Sequence, residues 1–343
     1  MLQSFNCYLS TSLICLLESH KMLKITYVLL LAVILGNITA INAQQKNHLV
    51  IIPGQNTLGG ANAPTILSGF TDQSSIHTTK TPQFFADFGQ TRCMNDVKKT
   101  TSLLPKEDKI IIHASSQGTA TALNYATQNP NHVSALVLEA VMLSGNSAIY
   151  HYTKNALLLR YLTYLPGSYY WLPYCAWQFP FYSPAGEQPI NNIHRLPKNL
   201  PIIIYHCKQD PCLSFEDAQA LYAFIKRSGR ENVYFLPINT PGWGNHVELL
   251  QTGNVNINVI KAIFAKYNLP HQIPSGPTLD PDSESFKNKY QPQPDQKWLD
   301  HFNDLSRKEK NLWYIDWCVK IIFYPLLACL LYRISGLNMI LGQ

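Results

Sequence analysis

Apolar residues along this chain come mostly in short β-branched runs, and between the runs they recur at helical spacing. Residues 48–52 (His-Leu-Val-Ile-Ile), the central run of Ile110, Ile111 and Ile112, and residues 133–140, 201–206 and 232–238 read as buried strands. A further short strand is predicted near residues 83–86. Residues 93–104 have helical character. The segment after residue 116 carries Ala120, Leu123 and Ala126 at helical spacing, and residues 216–226 form another candidate helix. Six candidate strands that mostly alternate with helices predict an α/β domain with a mostly parallel central sheet and helices on both faces.

Outside this pattern the chain changes character. Within residues 1–45, Met22 opens a short basic start, an apolar run and a small residue near Ala43, the layout of a secretory signal. Left uncut, the same uncharged stretch is long enough to anchor in a bilayer, and a buried core helix is the third reading. The first two send the folded part across a membrane, so an exported location is expected: periplasmic, secreted or lumenal. Residues 144–199 are rich in tyrosine and tryptophan and are broken by Pro166, Pro173, Pro180 and Pro184, which predicts short helices joined by proline turns. This insertion is either packed on itself or a cap that lines an apolar pocket, and it divides the core into residues 46–143 and 200–271. Residues 272–311 carry Pro274, Pro277, Pro281, Pro292 and Pro294 among polar residues and are predicted to be a linker with little core of its own. Residues 312–343 form an apolar tail. Trp313, Tyr314 and Trp317 at one end and Tyr332 and Arg333 at the other are placed as interfacial anchors would be, but only residues 321–332 are free of charge. A spanning or interfacial helix and a helix packed back on the domain both remain open.

Charge narrows the function classes. Charged residues are only 14% of the 343 and aromatic residues 11%, which makes this a lightly charged, aromatic-rich protein. The net charge of +6 is spread without a long Lys/Arg run or interleaved aromatic motif, so nucleic acid is not an expected partner, and the charge reads either as mild attraction to an anionic membrane or as merely solvating. The chain has no Walker loop, dinucleotide fingerprint or internal repeat, and neither a cofactor nor a metal is expected.

The chemistry centres on residues 114–118, Ala-Ser-Ser-Gln-Gly, at the corner between the central strand and its helix. This is one methyl group away from Gly-x-Ser-x-Gly, where a strained turn holds a serine Oγ above the sheet. Residues two before and two after the nucleophile face each other and must be small. Ser116 has Ala114 and Gly118 in those places, while Ser115 would have His113 and Gln117, so Ser116 is the candidate nucleophile. A serine needs a base to take its proton, and the base needs a third group to fix its tautomer. In an open parallel sheet such groups lie beyond the carboxyl ends of strands. Asp210 follows the strand 201–206, and His246 follows the strand 232–238.

Together these residues resemble the α/β-hydrolase family, whose members carry nucleophile, acid and histidine in that chain order. The resemblance covers roughly residues 47–267, and the aromatic insertion falls where the family inserts its cap. Ala114 replaces the usual first glycine, as in some lipases, and Pro53-Gly54 stands where many members have His-Gly. The resemblance implies a serine hydrolase acting on a carboxylic ester or thioester of an apolar acyl or lipid substrate, with Ser116, Asp210 and His246 as catalytic residues. It also implies an oxyanion hole from the backbone N–H groups of Gln117 and Gln55. A non-catalytic binding module at a membrane and a serine peptidase or amidase are the alternatives.

Other residues read as structural. Asp217 is a second candidate acid, Asp87 a turn residue, and His48, His113 and His206 core histidines at strand ends. Cys207 and Cys212 bracket Asp210 and are either a disulfide that stiffens the acid loop or two thiols. Their spacing with His206 and Asp210 is a poor match to a zinc site.

Overall fold

The computed structural model describes residues 46–54, 76–79, 87–157, 159–175, 182–239, 246–247, 255–271 and 276–318. Six strands, β1 (Asn47–Ile52), β2 (Ile76–Thr78), β3 (Lys109–Ser115), β4 (Val133–Glu139), β5 (Ile202–Cys207) and β6 (Val233–Ile238), form one sheet in the order β2-β1-β3-β4-β5-β6. Every neighbouring pair is parallel. The helices are α1 (Thr91–Thr101), α2 (Gln117–Gln128), α3 (Gly145–Asn155), α4 (Ser168–Cys175), α5 (Pro189–Asn192), α6 (Phe215–Arg227), α7 (Ile257–Lys266), α8 (Glu284–Tyr290) and α9 (Gln296–Cys318). Single 3-10 turns lie at Arg160–Tyr164 and Ile193–Arg195.

Successive strand residues point to opposite sides of a sheet, and here both sides are apolar. Val50, Ile112, Leu138 and Ile204 pack with Val97 of α1, Leu123 of α2 and Leu221 of α6. On the other side Leu49, Ile111, Val137 and Ile203 pack with Val259, Ile263 and Phe264 of α7. A sheet covered in this way has no wet face, which is why its strands are continuous apolar runs. The expectation of a parallel sheet with helices on both faces, the α/β-hydrolase architecture, is met.

Two regions depart from the sequence reading, the edge beside β1, where β2 is found, and residues 272–311. The strand predicted at residues 83–86 lies outside the described residues, and the described strand beside β1 is β2, a three-residue edge strand with Ile76 as its one apolar residue. Across residues 272–311, where the composition predicts a linker, α8 and most of α9 are found. Asp295 starts α9 by accepting the Lys297 N–H at 3.0 Å, and Phe302, Leu305, Glu309 and Leu312 form its buried stripe. Phe302 stacks on Phe224 of α6 with ring centroids 4.2 Å apart, and His301 Nε2 lies 2.8 Å from Asp217 Oδ1. Prolines confined to the approach to the helix, ending at Pro294, leave room for 23 helical residues. The boundary predicted at residue 312 therefore falls inside α9. Among the described residues no helix is long and apolar enough to cross a membrane. Residues 1–45 and 319–343, which carry the predicted leader and most of the predicted tail, lie outside the described residues.

Between β4 and β5 the chain forms α3, the first 3-10 turn, α4, α5 and the second 3-10 turn. Ser144 caps α3, its Oγ accepting the N–H groups of Asn146 and Ser147 at 3.1 and 3.2 Å. The aromatic residues of this insertion divide into two sets. Tyr169 and Tyr182 are buried, whereas Tyr161 and Tyr164 are exposed.

Candidate active site

β3 ends at Ser115, and Ser116 turns the chain into α2 with φ 53° and ψ −125°. A non-glycine residue at positive φ is strained and persists only where its surroundings hold it. The Ser116 N–H donates to the Glu139 carbonyl of β4 at 2.8 Å, and the Ser116 carbonyl accepts from the Thr119 N–H at 2.9 Å and from Thr119 Oγ1 at 2.6 Å. Small neighbours allow the corner to close. A Cβ on Gly118 would run into the carbonyl oxygens of Ile52 and Pro53, and one on Gly54 would lie 2.8 Å from Ser116 Cβ. Ala114 is fully buried, so its methyl group is accommodated. Ser115, the other serine of the turn, donates its hydroxyl to Glu139 Oε2 at 2.9 Å.

The three residues singled out in the sequence meet at this corner. Ser116 Oγ lies 2.7 Å from His246 Nε2, and His246 Nδ1 lies 2.9 and 2.8 Å from Asp210 Oδ1 and Oδ2. A carboxylate only accepts, so the neutral imidazole carries its proton on Nδ1 and presents the Nε2 lone pair to the serine hydroxyl. Asp210 is buried, and Oδ1 also accepts the N–H groups of Cys212 and Leu213 at 2.8 and 3.0 Å. Burial opposes ionisation of Asp210, but hydrogen bonding from His206 and His246 overcomes it and holds the carboxyl well below the usual range. From the inserted helices, His151 Nε2 sits 3.2 Å from the Asp210 carbonyl, and Asn155 Nδ2 donates to the Pro211 carbonyl at 3.1 Å, so α3 braces the acid loop.

Sequence reasoning takes His206 as a core histidine and misses its place at the acid. The Val141 N–H donates to His206 Nδ1 at 3.1 Å, which leaves the proton on Nε2, and Nε2 lies 3.3 Å from Asp210 Oδ2. Both side chains are fully enclosed. Asp210 is thus faced by two histidines. The available signal is the spacing: His206 stands four residues before the acid, near the end of β5.

Gln117 is the first residue of α2, so its N–H is one of those with no acceptor a turn earlier and points out at the helix start beside Ser116. Its side chain is turned inward, Nε2 donating to Cys93 Sγ at 3.5 Å. Gln55 lies outside the described residues. Asp217 is held by His301 on α9 and does not approach Ser116 or His246 through any described contact. Asp87 caps α1 by accepting from the N–H groups of Arg92 and Cys93 at 2.5 and 3.2 Å. His48 pairs with Asp108 at 2.9 Å, and His113 Nε2 lies 2.7 Å from Tyr205 OH, where burial lowers its pKa to about 4 and keeps it neutral. Cys207 and Cys212 are thiols, not a disulfide. Asp210, Cys212 and His246 offer three ligand atoms within 4.8 Å of one another. The Cys212 thiol is a poor ligand there, because burial and the neighbouring Asp210 push its pKa up to about 11, and both Asp210 and His246 are already engaged.

No protein-family model and no curated protein matches the chain. Among solved structures, a highly thermostable carboxyl esterase from Bacillus coagulans in complex with glycerol is similar over 66% of this chain and 91% of its own, at 13% identity and a TM-score of 0.42. The Pyrococcus furiosus esterase Pf2001 is similar over 66% and 83%, at 14% identity and a TM-score of 0.40. Est1E from Butyrivibrio proteoclasticus is similar over 65% and 91%, at 14% identity and a TM-score of 0.41. The chain's own six-stranded parallel sheet, covered by helices on both faces, and its strained serine corner after β3 have the α/β-hydrolase architecture.

Proposed function

We propose that the protein is a serine hydrolase that cleaves carboxylic ester or thioester bonds of an apolar acyl substrate. The observation that carries this reading is the unbroken line from Ser116 Oγ through His246 to the buried Asp210, set at a strained strand-to-helix corner. In the proposed cycle His246 Nε2 takes the Ser116 proton as Oγ attacks the carbonyl carbon. The oxyanion that forms is met by the Gln117 N–H and, from the loop after β1, the Gln55 N–H. Collapse expels the alcohol or thiol, which leaves with the proton from His246, and the acyl group stays on Ser116. Water, deprotonated by His246, then attacks the acyl-enzyme and releases the acid and the free serine. Asp210 holds the imidazole in the tautomer this requires and stabilises its charged form.

An apolar substrate is favoured by what adjoins the triad. Val247 next to His246, Cys212 in the acid loop and Ile149 of α3 are half-buried and pack against the cluster of Phe88, Met142 and Leu213. The test is hydrolysis of p-nitrophenyl esters from acetyl to palmitoyl. Turnover is expected to rise beyond acetyl and to fall to background in Ser116→Ala. A folded protein with no turnover on any of these esters contradicts the reading and leaves the binding-module alternative, whereas turnover confined to amides moves it to the peptidase class.

A further inference from the structure

Among the described residues, eleven of the thirteen exposed large apolar side chains lie in two stretches, residues 157–174 and 313–317. Leu157 is 73% exposed, Tyr161 61%, Tyr164 78%, Trp313 53% and Trp317 49%. The stretches are neighbours in space. Tyr174 OH donates to Asp316 Oδ1 at 3.5 Å, Asn311 Nδ2 donates to Tyr170 OH at 3.4 Å, and the turn Arg160–Tyr164 packs on α3 and α4. A soluble surface scatters such residues singly, while a concentrated set marks a surface with a partner.

Charge identifies the partner. From residue 140 to residue 186 the chain has no aspartate or glutamate, while Lys154 and Arg160 stand exposed in the middle of the stretch. The Arg160 guanidinium lies 5.2 Å from the centroid of the exposed Tyr161 ring, so a cation adjoins the aromatic surface. Lys310 is exposed one turn before Trp313 and Tyr314. Tyrosine and tryptophan rings beside lysine and arginine suit the boundary between lipid headgroups and acyl chains, where rings bury their apolar bodies and the cations meet phosphates. The sequence that follows α9 keeps this apolar character, since residues 321–332 carry no charge and begin three residues after Cys318.

We infer that the face formed by the turn Arg160–Tyr164, α4 and the end of α9 docks on an anionic lipid bilayer. The inference does not depend on the hydrolytic reading, and its test needs no turnover. Amide hydrogen exchange of the full-length protein is followed alone, with phosphatidylcholine vesicles, and with vesicles that also contain phosphatidylglycerol. The anionic vesicles are expected to slow exchange over residues 157–174 and 311–318 by about threefold or more, with the loop around Leu103, an exposed leucine elsewhere, unchanged. The triple variant Leu157→Ser, Tyr161→Ser, Tyr164→Ser alters only exposed side chains and is expected to lose the slowing over 157–174. Exchange over 157–174 that vesicles leave unchanged overturns the inference, because tethering by the tail alone would give that result. Slowing that grows with protein concentration without vesicles overturns it in favour of a second copy of the chain. Equal slowing by phosphatidylcholine alone overturns the anionic preference.

Discussion

Replacing His246 by alanine is expected to lower kcat/KM for a p-nitrophenyl ester by about 10⁴- to 10⁶-fold, with the fold intact. The size follows from geometry. His246 is the one described side chain that touches both Ser116 Oγ, at 2.7 Å, and the Asp210 carboxylate, at 2.8 Å. Without it the serine proton has no acceptor, the leaving group has no donor, and the buried Asp210 loses the partner it orients. The residual rate would come from the oxyanion donors and from substrate binding. Stability changes little by comparison, because His246 lies partly exposed in its loop. Steady-state kinetics checks the first statement and a thermal melt the second. A loss of less than about tenfold would mean that another group serves as the base.

Glu309→Ala is expected to destabilise the fold by about 3 to 5 kcal/mol, far more than His246→Ala. Glu309 is enclosed on α9, and its two oxygens accept from Ser144 Oγ at 2.5 Å, Tyr169 OH at 2.6 Å and Asn146 Nδ2 at 2.6 Å. These donors belong to the start of α3 and to α4, so a single carboxyl group ties the C-terminal helix to the inserted helices. All three donor residues are buried, and alanine would take away the acceptor of their hydrogens. Burial raises the pKa of Glu309 in spite of the three hydrogen bonds. The folded protein then holds the Glu309 proton more tightly than the unfolded chain does, so stability falls as pH climbs from the ordinary carboxylate range through the raised value. That slope should be absent in Glu309→Ala. Urea unfolding at several pH values measures both effects, and a loss below about 1 kcal/mol would show that α9 does not depend on this anchor.

Some of this architecture is open to sequence reading for simple physical reasons. A sheet covered on both faces demands unbroken apolar runs, so β1, β3, β4, β5 and β6 announce themselves. The corner after β3 demands small residues, and Gly118 shows why: its helix start is pressed against the carbonyls that end β1. Ser116, Asp210 and His246 are candidates by residue type and by position after strands, and the structure brings them within hydrogen-bonding distance. Other features depend on tertiary contacts that no local pattern encodes. β2 is too short and too polar to stand out. α9 is hidden because its buried stripe includes a glutamate, and the partners that make this tolerable lie more than 130 residues earlier. His206 reads from sequence as a core residue, which its burial supports. Its second role depends on the tautomer that the Val141 N–H imposes, and that contact comes from a neighbouring strand's end.

The central claim is that Ser116 is a nucleophile activated by His246 and Asp210. Reaction of the full-length protein with a fluorophosphonate, followed by intact-mass measurement and peptide mapping, tests it most directly. The expected result is a single adduct on Ser116 that is absent from folded Ser116→Ala. Undiminished labelling of that variant, an adduct mapped to Ser115 or elsewhere, or a folded wild-type protein that does not react would contradict it.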